Sequence, residues 1–217
     1  MESAQVREQK KQILAERGDG NVVFACTKWV QLMAFRKPSE DEYLDYIGSV
    51  GAPLESTGVA QEQFAMDCLV YPTEPEAKAK VRRLLKAMPN LASDLAHSIE
   101  AMSSGDYDPL ALDDAQKAEL DAKWEFGWGG LTPSGYKPII MATDEQSGTL
   151  VRVASDARLN GDKDNGRKIR SAVLSLVRNL PQEEVEGILG ARPGLLMPLW
   201  YRAQELVGSG VAELGKG

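Results

Sequence analysis

Histidine and cysteine are almost missing from this 217-residue chain, which holds one His and two Cys. His97, Cys26 and Cys68 are too few and too scattered to assemble a zinc centre. Nucleophilic and acid–base chemistry is equally short of parts. His97 lies between Leu95 and Ile99 on a helix-like run, off its apolar stripe, where an exposed structural side chain is expected. Gly-x-Ser-x-Gly, Walker A and dinucleotide fingerprints are absent. The two cysteines read as buried free thiols rather than a disulfide. No apolar run reaches the ~18 residues of a membrane span, and the polar start Met1–Gln12 predicts no signal peptide. Positive charge is also lacking: the formal net charge of −7 argues against a nucleic-acid partner. The one basic cluster, Lys78, Lys80, Arg82, Arg83 and Lys86, flanks an apolar stripe and reads as a solvated helix face.

Two short stretches imitate chemistry without supplying it. Asn160–Gly166 resembles a calcium loop, but Asn165 stands where the loop needs glycine and Ser171 where it needs glutamate, so a polar turn is predicted. Asp113-Asp114 precedes a helical run and reads as a cap rather than a metal pair. No catalytic, cofactor or metal site is expected, and the chain reads as a binding protein rather than an enzyme.

What the chain does contain is an internal repeat. Val81, Leu84, Leu85, Pro89, Leu91, Leu95 and Met102 match Val185, Ile188, Leu189, Pro193, Leu195, Leu199 and Leu206 at a constant separation of 104 positions. Thr73 with Glu76, and Asn179 with Gln182, are placed like capping boxes at the start of the two copies. Upstream, residues 3–17 predict a helix and Val22–Arg36 a hairpin turning near Thr27-Lys28. A capping box at Ser39 and Glu42 opens a further helix, Gly48–Gly58 predicts a loop, and Val59–Tyr71 another helix. In the second half, Asp113–Trp124 predicts a helix and Glu125–Tyr136 an inserted loop. Ile139–Val153 predicts two strands about a turn at Asp144–Gly148, aligning Phe24, Thr27 and Phe35 with Ile140, Thr143 and Val151 at 116 positions. The helix after Ser155 is then cut short, and helices from about Arg167, Asn179 and Pro193 close the copy. The expected fold is α+β, mainly α-helical, in two tandem units, 1–108 and 109–217. Each unit has a helix, a β-hairpin and three to four helices.

Phe35-Arg36-Lys37-Pro38-Ser39, the Glu42-Tyr43 helix, Asp67-Cys68-Leu69-Val70-Tyr71-Pro72 and the break at Met88-Pro89-Asn90-Leu91 together resemble tail assembly chaperones of tailed bacteriophages. The resemblance covers roughly residues 5–105. The second half reads as a diverged copy, with Leu174–Arg178 in place of the Cys-to-Pro string. The resemblance implies a non-enzymatic protein of the host cytoplasm that binds the tape measure protein, keeps it soluble and helps recruit tail-tube subunits. Its alternative is a structural virion component of the tail, baseplate or connector. Neither membrane nor nucleic acid is an expected partner, and no cofactor is implied. The candidate partner-binding residues are Trp124, Phe126, Trp128 and Tyr136 around the glycine-rich insertion, and Trp29 at the first hairpin. The other reading of these aromatics is that they pack over their own unit or fill the space between the two units. Trp200, beside Leu199 on its stripe, is expected in the core.

Overall fold

The computed structural model describes residues 3–50, 57–124 and 126–208. Ser3 accepts a hydrogen bond from the Val6 N–H and starts α1 (Ala4–Arg17), which Gly18 ends at a φ of 86°. The hairpin β1 (Val22–Ala25) and β2 (Met33–Arg36) follows as expected. Ser39 and Glu42 then exchange hydrogen bonds, 2.8 Å from the Ser39 N–H and 3.3 Å from the Glu42 N–H, and open α2 (Glu40–Val50). The chain continues with α3 (Thr57–Cys68), β3 (Leu69–Tyr71), α4 (Pro75–Ala87) and α5 (Pro89–Ser104). The second half runs β4 (Tyr107–Pro109), α6 (Asp114–Lys123), β5 (Trp128–Pro133), β6 (Ile139–Ala142), α7 (Glu145–Leu159) and α8 (Asn165–Leu176). It closes with α9 (Gln182–Ala191), a 3-10 turn at Pro193–Leu195 and α10 (Leu196–Gly208). The fold is mainly helical α+β, with two three-stranded antiparallel sheets ordered β1-β2-β3 and β4-β5-β6.

The second half departs from several expectations. Asp144–Gly148 is not a hairpin turn. Asp144 accepts from the Ser147 N–H at 2.8 Å, Ser147 accepts in return at 2.9 Å, and this capping box starts α7, which continues past Ser155 to Leu159. The true partner of β6 is β5, inside the stretch expected to be a loop. Thr73 and Asn179 do not cap: Glu74 and Pro181 hold the cap positions of α4 and α9, and neither helix has a side-chain cap bond. Asn179 instead extends the sheet, accepting from the Ile140 N–H at 2.8 Å and donating to the Pro138 carbonyl at 2.7 Å. The end of the expected Val59–Tyr71 helix is β3, and Cys26 is exposed rather than buried. The expected Gly48–Gly58 loop is helical at both described ends, residues 48–50 closing α2 and 57–58 opening α3, with 51–56 outside the described residues.

These corrections bring the halves into closer register. Val22 pairs with Arg36 and Ala25 with Met33; 106 positions later Trp128 pairs with Ala142 and Leu131 with Ile139. Phe35 pairs with Leu69, the first residue after α3, and Met141 with Val177, the first after α8. The same order of helix, hairpin, two helices, a return to the hairpin and two more helices therefore occurs twice. The return is strand β3 in the first half and a single bridge at Val177 in the second, where β4 ahead of α6 is the third strand.

The buried residues of both halves join into one core, from Phe35, Tyr43 and Phe64 through Leu85 and Ile99 to Ile169, Leu189 and Trp200. Helices α3, α2, α8 and α7 lie in a row, α5 packs under α3 and α10 under α8. A smaller apolar cluster, Ile13, Leu32 and Ala34, lies between α1 and the outer face of the first sheet. The long apolar stripes of α5 and α10 bury Leu95, Ile99, Leu199 and Trp200, so Trp200 is a core residue as its position predicts.

Candidate partner-binding surfaces

The two hairpin loops carry aromatics for local reasons. In the first, the Thr27 hydroxyl accepts from the N–H groups of Trp29 (3.3 Å) and Val30 (3.0 Å), a side-chain turn that leaves the Trp29 ring outside. The ring is 47% exposed and Lys28 Nζ lies 4.4 Å from its centroid. In the second, Gly135 turns the chain at a φ of 81° and the Tyr136 N–H donates to the Pro133 carbonyl at 3.0 Å. Tyr136 is also exposed, and the Arg192 guanidinium lies 5.1 Å from its ring. Each sheet thus ends in a projecting aromatic with a cation against it.

A groove accompanies each sheet. The first, about 440 Å³, runs between α1, the hairpin loop and the start of α4, and is lined by Val6, Gln9, Trp29, Leu32, Tyr71 and Lys80. Its counterpart, about 270 Å³, lies between α6 and β6 and is lined by Gln116, Leu120, Trp124, Ile140, Arg178 and Asn179. The helices that cover these faces are weakly held, since α1 buries only Ile13 and α6 buries no residue. Little apolar surface is removed from water by either helix, and burial of such surface is what would hold it down.

The remaining aromatics divide. Trp124 caps the end of α6 half-buried, with Arg178 and Lys123 each 5.4 Å from its ring. Trp128 Nε1 donates to Asp121 at 2.9 Å, binding the ring to its own unit, whereas Phe126 is 62% exposed. These three share the corner between α6 and β5, Tyr136 sits at the far end of the same hairpin, and Trp29 belongs to the other sheet. The five residues therefore form three separate places rather than one patch.

A third cavity, about 430 Å³, lies beneath α2 with mainly apolar walls that carry a few polar groups, among them Tyr43, Tyr46, Gln61, His97, Glu100 and Tyr201. The Tyr43 hydroxyl donates to Glu100 at 3.3 Å. Burial raises the Glu100 carboxyl above its ordinary range, and burial followed by that carboxylate raises Tyr43 and Tyr46 as well. The sequence held no signal for this pocket, because its walls come from α2, α3, α5 and α10, which only the tertiary fold brings together. Burial also pushes the Cys68 thiol up to about 12, which removes it as a nucleophile. Among the described residues no three His, Cys, Asp or Glu side chains gather where a metal could be held. No described helix is long and apolar enough to cross a membrane.

No protein-family model, curated protein or solved structure matches this chain.

Proposed function

We propose that the protein is a non-enzymatic binding protein of bacteriophage tail assembly. It acts in the host cytoplasm on the tape measure protein, keeping it soluble and presenting it to tail-tube subunits. The observation that carries this reading is the recurrence of one apparatus in both halves: a groove along the sheet, a lightly held covering helix and an exposed aromatic on the hairpin loop. Two such places on one chain suit a long helical partner, whose apolar residues recur along one face and can dock helix-in-groove at both. Trp29 and Tyr136, the exposed aromatics of the two hairpin loops, are the anchors, because large aromatics contribute most of the energy of such contacts.

The deciding experiment is co-expression with the tape measure protein of the same phage. Soluble yield of that partner is expected to rise with the wild type and to fall back with Trp29→Ala combined with Tyr136→Ala, while the variant stays folded. No rise with the wild type overturns the reading. Mass spectrometry of purified particles is expected to lack the protein, and its presence there assigns it to the virion instead.

A further inference from the structure

The junction between the two halves is made of unlike faces. α2 of the first half meets α8 of the second so closely that a Cβ on Gly166 would lie 2.2 Å from the Leu44 carbonyl oxygen, and one on Gly48 the same distance from that of Lys163. Arg167 reaches Asp45 at 2.9 Å and Asp41 at 3.9 Å, and Arg170 bridges Glu40 and Glu186. Yet the counterpart of α2 in the repeat is α7, and the counterpart of α8 is α3. In the row α3, α2, α8, α7, an α8-like face is therefore left at one end and an α2-like face at the other. A contact between unlike faces does not close on itself and can be made again by another molecule.

The residues at the two ends answer one another. Aligning the caps Ser39 and Asp144 places Leu150 where α2 has Asp45, and Val153 where it has Gly48. Aligning Leu69 with Val177, which follow α3 and α8 directly, places Gly58 and Val59 where α8 has Gly166 and Arg167. The charge pair Arg167–Asp45 of the internal junction is thus replaced by two apolar side chains, Val59 (55% exposed) and Leu150 (36%), with Val153 (48%) alongside. Of the two glycines of close approach, Gly166 is kept as Gly58 but Gly48 is replaced by Val153, so the copied contact lies wider at that end. Further along, the buried stripes of α4 and α9 place Arg82 and Lys86 where the internal junction has Glu186 and Gly190. Gly190 stands beside Glu40, whose counterpart is Glu145. Glu145 would meet Glu62, the counterpart of Arg170, but with Arg82 and Lys86 at hand to offset the like charges. The basic face of α4 acquires a partner in this way.

We infer that the protein assembles head to tail with copies of itself, α7 of one molecule lying along α3 and α4 of the next in the order in which α2 lies along α8 and α9, at the wider spacing that Val153 imposes in place of Gly48. This contact involves neither sheet groove, so it stands or falls separately from the proposed function.

Analytical ultracentrifugation of the purified full chain tests it. The wild type is expected to show concentration-dependent species larger than a dimer. Val59→Arg and Leu150→Asp, each on an exposed position, are each expected to weaken association at least about tenfold. The double variant Val59→Arg with Leu150→Asp recreates the Arg167–Asp45 pair between molecules and is expected to regain association. An equimolar mixture of the two single variants is also expected to assemble, since every junction in it is then matched, either Leu150 on Val59 or Asp on Arg. A wild type that stays monomeric up to roughly millimolar concentration overturns the inference, as does association that neither single variant changes. Single variants that dissociate but are not rescued by mixing also overturn it.

Discussion

Gly166 on α8 approaches the Leu44 carbonyl on α2 so nearly that any side chain there would meet backbone oxygen at 2.2 Å. Backbone cannot move aside as a flexible side chain can, so Gly166→Ala is expected to force α2 and α8 apart. The loss should be about 1–3 kcal/mol of stability, the usual cost of overpacking a close contact. Urea unfolding checks it through a lower midpoint at unchanged slope. The same change at Gly187, where nothing lies near the added carbon, should be neutral or slightly stabilising.

Glu42 links β2 to α2. Its carboxylate takes both Arg36 guanidinium nitrogens, at 2.6 and 2.8 Å, and the Ser39 N–H. The Arg36 hydrogen bond is the main reason its pKa falls to about 2, below the ~4.3 of an unfolded glutamate. A depressed folded pKa means the stabilisation is complete above about pH 4.3 and is lost as pH falls through about 2. Glu42→Gln should remove about 1–2 kcal/mol at pH 7, a figure reduced for partial solvent screening, and should flatten the acid limb of the stability–pH profile.

Glu100 is shifted the other way. Burial is the largest cause, and its raised carboxyl pKa means that stability is present below the unfolded value and is lost as pH rises through the folded one. Glu100→Gln keeps an acceptor for Tyr43 and removes the buried charge. Its thermal midpoint at pH 8 is expected to exceed that of the wild type, with the difference vanishing in acid.

Asn165 is wholly buried and neither its amide nitrogen nor its amide oxygen has a hydrogen-bond partner in the structure. Replacing an unpaired buried amide by an apolar group of similar shape relieves a desolvation cost of about 1–3 kcal/mol. Asn165→Leu should therefore raise the urea midpoint. An unchanged or lower midpoint would show that the amide is satisfied in solution, for instance by water.

Asn179 spans the gap that a short strand leaves. Its amide holds the Ile140 N–H and the Pro138 carbonyl, so Asn179→Ala should strand two backbone groups at the edge of β6. A loss of about 1–2 kcal/mol is expected, with hydrogen exchange at Ile140 accelerated ahead of the core amides.

Much of the helical framework was legible because its signals are local. The Ser39–Glu42 box, the stripe Val81–Leu85 and the break at Pro89 act over three or four positions, and the structure keeps each of them. Asp144–Gly148 was ambiguous by the same measure, since Asp, Ser and Gly suit a turn as well as a cap. Only the pairing of Ile139–Ala142 with Trp128–Leu131 leaves Asp144 at the head of a helix. Asn179 misled similarly: its amide could cap a helix or replace strand backbone, and the nearness of Ile140, 39 positions away, decided for the strand. The candidate aromatics were legible as residues but not as a site, because their division among three places depends on which ends of the hairpins they occupy.

By itself the sequence determined a chain of amphipathic helices and short strands running through one pattern twice, because apolar spacing, caps and breaks are written within a few neighbouring residues. Tertiary structure alone decided that the halves share a core and meet through unlike faces, with Val59 and Leu150 left outside and Gly166 pressed on Leu44. Those outcomes depend on close approach and ion pairing between residues as many as 130 positions apart, and no local periodicity carries that information.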